Sequence, residues 1–189
     1  MTKETLRKEY KARRAALDPQ QRLRLDDLLL LQFQQFDYSA IRTVLTYWPL
    51  SGQAEPNTHL FTGYLRHMLP GLVLAYPVTD TVSCEMTALA IDGDTVYQTN
   101  SLGITEPKEG RVIQPTGIDL VLVPLLACDT KGYRVGYGKG YYDRYLASCR
   151  EDIVKIGFSY FDPIEEISDT GHFDVPLTYC ITPQQTYEF

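Results

Sequence analysis

Leu120-Val-Leu-Val-Pro-Leu-Leu-Ala-Cys-Asp-Thr-Lys-Gly-Tyr-Arg-Val-Gly-Tyr-Gly-Lys-Gly-Tyr-Tyr-Asp-Arg-Tyr-Leu146 is the stretch on which the fold turns. Its first four residues are apolar on both faces, as in a strand covered by helices on each side of a mostly parallel sheet. From Tyr141 the spacing predicts a helix running to Cys149. Working outward, Thr2 is placed to cap a first helix carrying Leu6, Tyr10, Arg13 and Leu17, and Asp18 followed by Pro19 restarts a second. Short β-branched and aromatic runs then predict strands at Thr43 to Trp48, Leu72 to Tyr76, Met86 to Ile91 and Ile153 to Tyr160, with a helix over Asn57 to Met68. The expected architecture is α/β in three layers, α/β/α around a mostly parallel central sheet. Asn100 to Gly117, with three glycines and two prolines, reads as a surface excursion that helps cover a ligand.

The bulk numbers fit one compact unit. The chain has 189 residues, 44% of them apolar, and neither a repeat nor a convincing linker divides it, so a single domain over residues 1–189 is expected. With 18 basic and 24 acidic residues the formal charge is −6, which argues against a general polyanion binder such as a nucleic-acid protein. Cys84, Cys128, Cys149 and Cys180 stand at wide spacings without a CxxC pair, so neither a zinc framework nor a disulfide scaffold is expected. The first ten residues are charged and no apolar run reaches 18 residues, which predicts no membrane span and a reducing, cytoplasmic setting with free thiols. No exposed apolar helix face is evident, and a monomer is expected.

The chemistry concentrates in Arg134 to Asp143. Gly136, Gly138 and Gly140 admit backbone angles closed to other residues, so successive N–H groups can converge on one anion. A helix starting near Gly140 adds its positive end, Lys139 and Arg134 add full charges, and Asp143 is placed to hold a magnesium ion against phosphates. The spacing is not the GxxxxGK[ST] of kinase-type loops, and by spacing alone a plain tight turn competes evenly with a phosphate site. Lys3 and Arg7, one helical turn apart, read by spacing as a solvated face. Glu55 reads as a loop carboxylate or, at the carboxyl end of a strand, as a ligand contact. Tyr137, Tyr141 and Tyr142 read as packing or as flat surfaces for a ring to stack on. His59, His67 and His172 lack a second ligand at metal spacing.

Arg134-Val-Gly-Tyr-Gly-Lys-Gly-Tyr-Tyr-Asp-Arg-Tyr-Leu resembles the signature of the 5-formyltetrahydrofolate cyclo-ligases, also called methenyltetrahydrofolate synthetases. The resemblance covers nearly the whole chain. Lys3 and Arg7 are similar to a basic pair that reaches the nucleotide, Leu50 and Glu55 to substrate contacts, Gly103-Ile-Thr-Glu-Pro107 to a central family stretch, and Asp174 to a second magnesium contact. Phe173 separates His172 from Asp174 where relatives place histidine and aspartate together. Cys128 stands where phenylalanine is common, and Phe161-Asp162 where relatives often carry glutamine.

What the resemblance implies is a reaction driven by ATP and Mg²⁺. The formyl oxygen of 5-formyltetrahydrofolate takes the γ-phosphoryl group as an imino-phosphate, the neighbouring folate nitrogen closes on that carbon, and loss of phosphate leaves 5,10-methenyltetrahydrofolate. It further implies Lys139 and Arg134 as catalytic charges and Lys3, Arg7, Gly136, Tyr137, Gly138, Gly140, Tyr141 and Tyr142 around the nucleotide. Leu50, Glu55 and Tyr141 would lie against the folate, and Asp143 and Asp174 on the metal. Arg42, Arg66 and Lys108 are candidates for the acidic tail of a polyglutamylated substrate. Two alternatives remain open on the sequence: a related ATP- or phosphate-binding α/β protein with another substrate, and a non-catalytic folate or nucleotide sensor.

Overall fold

The structure, a computed structural model, describes residues 1–189. Helix α1 (Lys3–Ala15) starts at its Thr2 cap, and α2 (Pro19–Phe33) starts at a capping box. In that box Asp18 accepts from the Gln21 amide at 2.8 Å and the Gln21 side chain accepts from the Asp18 amide at 3.0 Å, with Pro19 in the first turn where its missing N–H costs nothing. There follow β1 (Thr43–Leu45), α3 (Thr58–Met68), β2 (Val73–Thr79), β3 (Met86–Ala90), β4 (Tyr97–Thr99), β5 (Thr105–Pro107) and β6 (Val112–Ile113). The chain then forms β7 (Leu120–Val123), β8 (Ala127–Cys128), β9 (Arg134–Val135), α4 (Tyr141–Leu146), β10 (Val154–Phe158), β11 (Tyr179–Ile181) and β12 (Thr186–Glu188).

Eight strands form one sheet in the order β12-β11-β10-β7-β1-β2-β3-β6. The five central strands, β11 to β2 in that order, pair in parallel, and β3, β6 and β12 close the edges antiparallel. The alternation along each strand sorts the two faces. Leu120, Leu122, Val44, Leu74, Ile156, Phe158 and Ile181 pack with Leu29 and Phe33 of α2 and Phe61 and Leu65 of α3. Val121, Val123, Leu45, Ala75 and Cys180 pack with Tyr145 and Leu146 of α4 on the other side. Phe61 stacks on Phe158 with ring centroids 3.9 Å apart. The three layers are those the sequence predicts. Helix α1 caps the end of the sheet, its Leu6 and Tyr10 set against Leu126, Ala127, Val135 and Ile167. No helix is long and apolar enough to cross a membrane.

The differences have local causes. β1 ends at Leu45, three residues before the predicted Trp48, because Tyr47 and Trp48 leave the ladder to line a cavity. α4 stops at Leu146, short of Cys149, so it has under two turns and a correspondingly weak dipole. The predicted excursion over Asn100 to Gly117 is ordered by a hairpin of β4 with β5 and by β6. Glu106 within it is 2% exposed, its carboxylate accepting the Thr79 amide at 2.8 Å and the Thr79 hydroxyl at 2.5 Å. On α1 the buried position belongs to Arg14, whereas Arg13 lies over the rings of Tyr10 and Phe161 at 4.6 and 4.1 Å.

Asp119 ties the amino ends of the central strands together. Its Oδ2 accepts the amides of Arg42 and Thr43 at 2.8 and 2.9 Å, and its Oδ1 accepts from Arg150 at 3.2 Å. Burial pushes its acidity the other way, but the two amides and the guanidinium outweigh it and hold the pKa below the ordinary 3.8. A depressed carboxylate contributes stability above its unfolded pKa and loses it as pH falls through the folded value. Asp119→Ala will therefore destabilise the chain by about 1 kcal/mol at neutral pH, the scale of part-exposed charged bonds. In urea titrations the gap to the parent should close below pH 3.8. A gap of the same size at pH 7 and in acid would show that the charge does not matter.

Candidate active site

The sheet reverses its winding between β1 and β7. β1 runs through α3 to β2 on one side of this seam, and β7 runs through α4 to β10 on the other, with the two helices on opposite faces. Loops leaving the carboxyl ends of β1 and β7 consequently diverge and leave a crevice, the usual ligand position of an open α/β sheet. A cavity of about 520 Å³ occupies it. Lys3, Arg7, Leu50, Glu55, Arg134, Gly136, Tyr137, Gly138, Lys139, Gly140, Tyr141, Tyr142, Asp143 and Asp174, all singled out from the sequence, lie on its wall. Arg42, Arg66 and Lys108 do not. Arg42 sits before β1, at the opposite end of the sheet, its guanidinium on the Ser39 and Ile41 carbonyls; the sequence did not tell which strand end these cations flank.

One end of the cavity is charged. Lys3 bonds Asp174 at 2.5 Å, and Arg134 bonds Asp143 at 2.8 Å and the Val175 carbonyl at 2.5 Å. Asp143 also accepts the Val175 amide at 3.1 Å, and Asp174 the Gly171 amide at 2.6 Å. Burial opposes ionisation of Asp174, yet the Gly171 amide and the Lys3 ammonium together hold its pKa below 3.8. Arg7 donates to the Gly136 carbonyl at 3.0 Å and lies so close to Gly138 that a Cβ there would meet its guanidinium at 3.3 Å. Gly138 has φ +91°, so a side chain is excluded twice over. Lys139 is exposed and its ammonium makes neither an ion pair nor a hydrogen bond. Arg134, expected from the sequence at the phosphates, lies on the cavity wall with its terminal nitrogens donating to Asp143 and the Val175 carbonyl and its side chain 6% exposed. These bonds tie Asp143 to the segment that carries Asp174.

The other end is apolar with one carboxylate. Tyr47, Trp48, Leu50, Pro77, Leu102 and Ile104 face it. Ala54 takes a left-handed φ of 48° at the end of the short 3₁₀ turn Ser51–Gln53, a strained conformation that turns Glu55 inward. Glu55 is 8% exposed and accepts the Leu50 amide at 2.7 Å and the Tyr137 hydroxyl at 2.6 Å. Burial raises its pKa above 4.5, and the Leu50 amide, Tyr137 and Arg14 offset part of that. Tyr137, expected beside the nucleotide, thus turns its hydroxyl to Glu55. Tyr142 is half-buried, with its hydroxyl sealed from solvent and unpartnered beside the cavity. Among residues the sequence reading passed over, Arg14 had a usable signal, a cation following Leu6 and Tyr10 at four-residue steps in a buried stripe. Trp48, Pro77 and Thr79 had none.

The donor sets fit a magnesium nucleotide. Hard carboxylate oxygens suit Mg²⁺, and Asp143 Oδ2 and Asp174 Oδ1 receive no hydrogen bond from the protein. Nothing lies within 4 Å of where a Cβ on Gly136 would project, which leaves its backbone open to close approach.

Residues 1–183 match the model of the 5-formyltetrahydrofolate cyclo-ligase family. A 5-formyltetrahydrofolate cyclo-ligase of Mycoplasma pneumoniae is 28% identical over 187 residues, 97% of this chain and 100% of that one. One from Mycoplasma genitalium is 41% identical over 69 residues, so the match spans 36% of this chain and only 42% of that relative. In three dimensions the chain superposes on the NMR structure of Aquifex aeolicus 5,10-methenyltetrahydrofolate synthetase with a TM-score of 0.82 at 27% identity, covering 100% of this chain and 93% of that. A family match from the first helix through β11, on a fold whose seam gathers the family's signature around one cavity, leaves one conclusion: this chain belongs to the 5-formyltetrahydrofolate cyclo-ligase family.

Proposed function

We propose that this chain, acting as one unit over residues 1–189, converts 5-formyltetrahydrofolate to 5,10-methenyltetrahydrofolate with ATP and Mg²⁺, releasing ADP and phosphate. The observation that carries the reading is the two-ended cavity, with a glycine-rich loop flanked by cations at one end and a buried carboxylate among apolar side chains at the other. ATP supplies the phosphoryl group that turns the formyl oxygen into a leaving group, and Mg²⁺ neutralises the phosphates.

The protein's part is positioning and charge. Gly136, Gly138 and Gly140 offer main-chain N–H groups, Lys3 and Arg7 approach from α1, and Asp143 and Asp174 would hold the metal. Tyr141 and Tyr142 close the middle of the cavity. Leu50, Trp48 and the 102–104 loop exclude water from the ring that closes, and Glu55 accepts from the pterin N–H groups. Lys3 and Arg134 pair with Asp174 and Asp143 and Arg7 is held on the Gly136 carbonyl, whereas the Lys139 ammonium has no protein partner, so it is the wall cation free to follow charge onto the phosphoryl oxygens.

Lys139→Ala will lower kcat/KM by at least about tenfold with an unchanged melting temperature, the scale of one charged transition-state contact. Mixing the protein with ATP, Mg²⁺ and 5-formyltetrahydrofolate and following the near-ultraviolet absorbance of the methenyl product tests the whole reading. Binding of both ligands without that absorbance would make the chain a sensor, and no folate binding would point to another substrate.

A further inference from the structure

Arg14 is 1% exposed, carries a full positive charge and makes no ion pair. Its guanidinium donates to the Leu125 carbonyl just beyond β7 and, at 3.4 Å, to the Tyr137 hydroxyl; its Nε has no partner. A buried cation with no counter-charge is costly, so something must balance it. Following the bonds outward, Tyr137 accepts from Arg14 and donates its own hydroxyl in a 2.6 Å hydrogen bond to Glu55, a carboxylate that is itself buried and without an ion pair. Cation, hydroxyl and carboxylate therefore form one aligned row, in which each bond polarises the next. The backbone cannot replace it, since Leu50 supplies a single amide to the other oxygen of Glu55.

We propose that Arg14 is a positioning residue for the substrate: acting through the Tyr137 hydroxyl, it fixes the Glu55 carboxylate in its cavity-facing orientation. This rests on the reading of Glu55 as the folate contact. It also separates the two ends of the cavity by charge, because Lys3 and Arg134 pair with Asp174 and Asp143 and no cation of the phosphate end bonds Glu55, whose row ends at Arg14. The groups acting on Glu55 are the Leu50 amide, the tyrosines Tyr47, Tyr137 and Tyr142, and Arg14, which is the one cation among them.

The test compares Arg14→Met, Arg14→Lys, Tyr137→Phe and the double variant Arg14→Met with Tyr137→Phe, all in the full chain. Arg14→Met and Tyr137→Phe should each raise KM for 5-formyltetrahydrofolate roughly tenfold, as loss of a charge-assisted bond does, with KM for ATP within about twofold of the parent. The double variant should be no worse than the worse single one, because both cut the same row. Arg14→Lys should recover part of the loss. Multiplying losses in the double variant, an equal rise in KM for ATP, or parental kinetics in either single variant would overturn the proposal. If Arg14→Met does not fold, Tyr137→Phe and Arg14→Lys decide by the same criteria. A ligand-free readout keeps the proposal apart from the folate reading. The ¹³C resonance of the Glu55 carboxyl should titrate at a higher pH than in the parent in Arg14→Met, or in Tyr137→Phe if the former is unstable. An unmoved titration sinks the role of Arg14 whatever the protein catalyses, and a shifted titration in a protein with no cyclo-ligase activity sinks only the folate reading.

Discussion

Arg134→Met will cost the fold about 3 kcal/mol and kcat/KM about 10²- to 10³-fold, the largest combined loss expected of any single change at the site. Methionine keeps the volume and the apolar stem, so what disappears is the charge and two donors. Asp143 then loses its cation in a setting where Arg134 is 6% and Asp143 27% exposed, and the Val175 carbonyl loses its donor. Breaking such a pair from one side leaves an uncompensated charge, which is why the cost exceeds that of a surface bridge. For a chain of this size the melting temperature should drop by roughly 6–12 °C. Arg134→Lys should recover little, because one ammonium cannot span Asp143 and the Val175 carbonyl as the planar fork does. Adding Asp143→Asn to Arg134→Met should restore stability but not activity, since it removes the orphaned charge together with the proposed metal ligand. Urea denaturation and the methenyl assay on the three proteins check this. Arg134→Met as stable as the parent would show that the pair is solvated and carries no structural load.

That arrangement also marks how far the sequence could be read. Element types follow from local rules: Leu120 to Val123 is apolar on both faces because both faces are covered, and the caps at Thr2 and Asp18 begin their helices where they stand. β11 and β12 escaped because three-residue strands are too short to show alternation, and β11 runs straight into Thr182 and Pro183. The residues that gather on the cavity wall were legible because one glycine-rich segment carries most of them and the family pattern supplies the rest. Their partners were not. Lys3 meets Asp174 across 171 positions of sequence and Tyr137 meets Glu55 across 82, and no periodicity encodes contacts made only when distant segments converge at the sheet end. Phe173, which breaks the familiar histidine–aspartate neighbourhood, is 86% exposed, so the extra residue is turned out to solvent while Asp174 still reaches Lys3. Arg13 and Arg14 show the same limit at single-residue scale: adjacent arginines look alike in sequence, yet one lies over two aromatic rings and its neighbour is sealed behind Tyr137.

Glu55→Gln is expected to lower kcat/KM for 5-formyltetrahydrofolate by about 10²- to 10³-fold while leaving KM for ATP within about twofold. The substitution is nearly isosteric, so the effect isolates chemistry from volume. Glu55 presents two acceptor oxygens, one taken by the Leu50 amide and one by Tyr137, each with a lone pair left for the cavity. A glutamine keeps one acceptor and sets an NH₂ group against either the Leu50 N–H or the pterin N–H donors, so a buried donor goes unpaired whichever way the amide turns. The proposed ATP end should be untouched because its lining lies on α1, the glycine loop and the 174 segment, none of which Glu55 bonds except through Tyr137. The pH dependence adds an independent sign. Burial holds the Glu55 pKa above 4.5, so the acid limb of kcat/KM for the folate should fall at a pH higher than an exposed glutamate would give, and Glu55→Gln should abolish that limb. Initial rates of methenyl formation between pH 4 and 8, with each substrate varied in turn, separate these terms. A Glu55→Gln protein whose loss is shared equally between ATP and folate, or whose acid limb is unchanged, would place the folate elsewhere in the cavity.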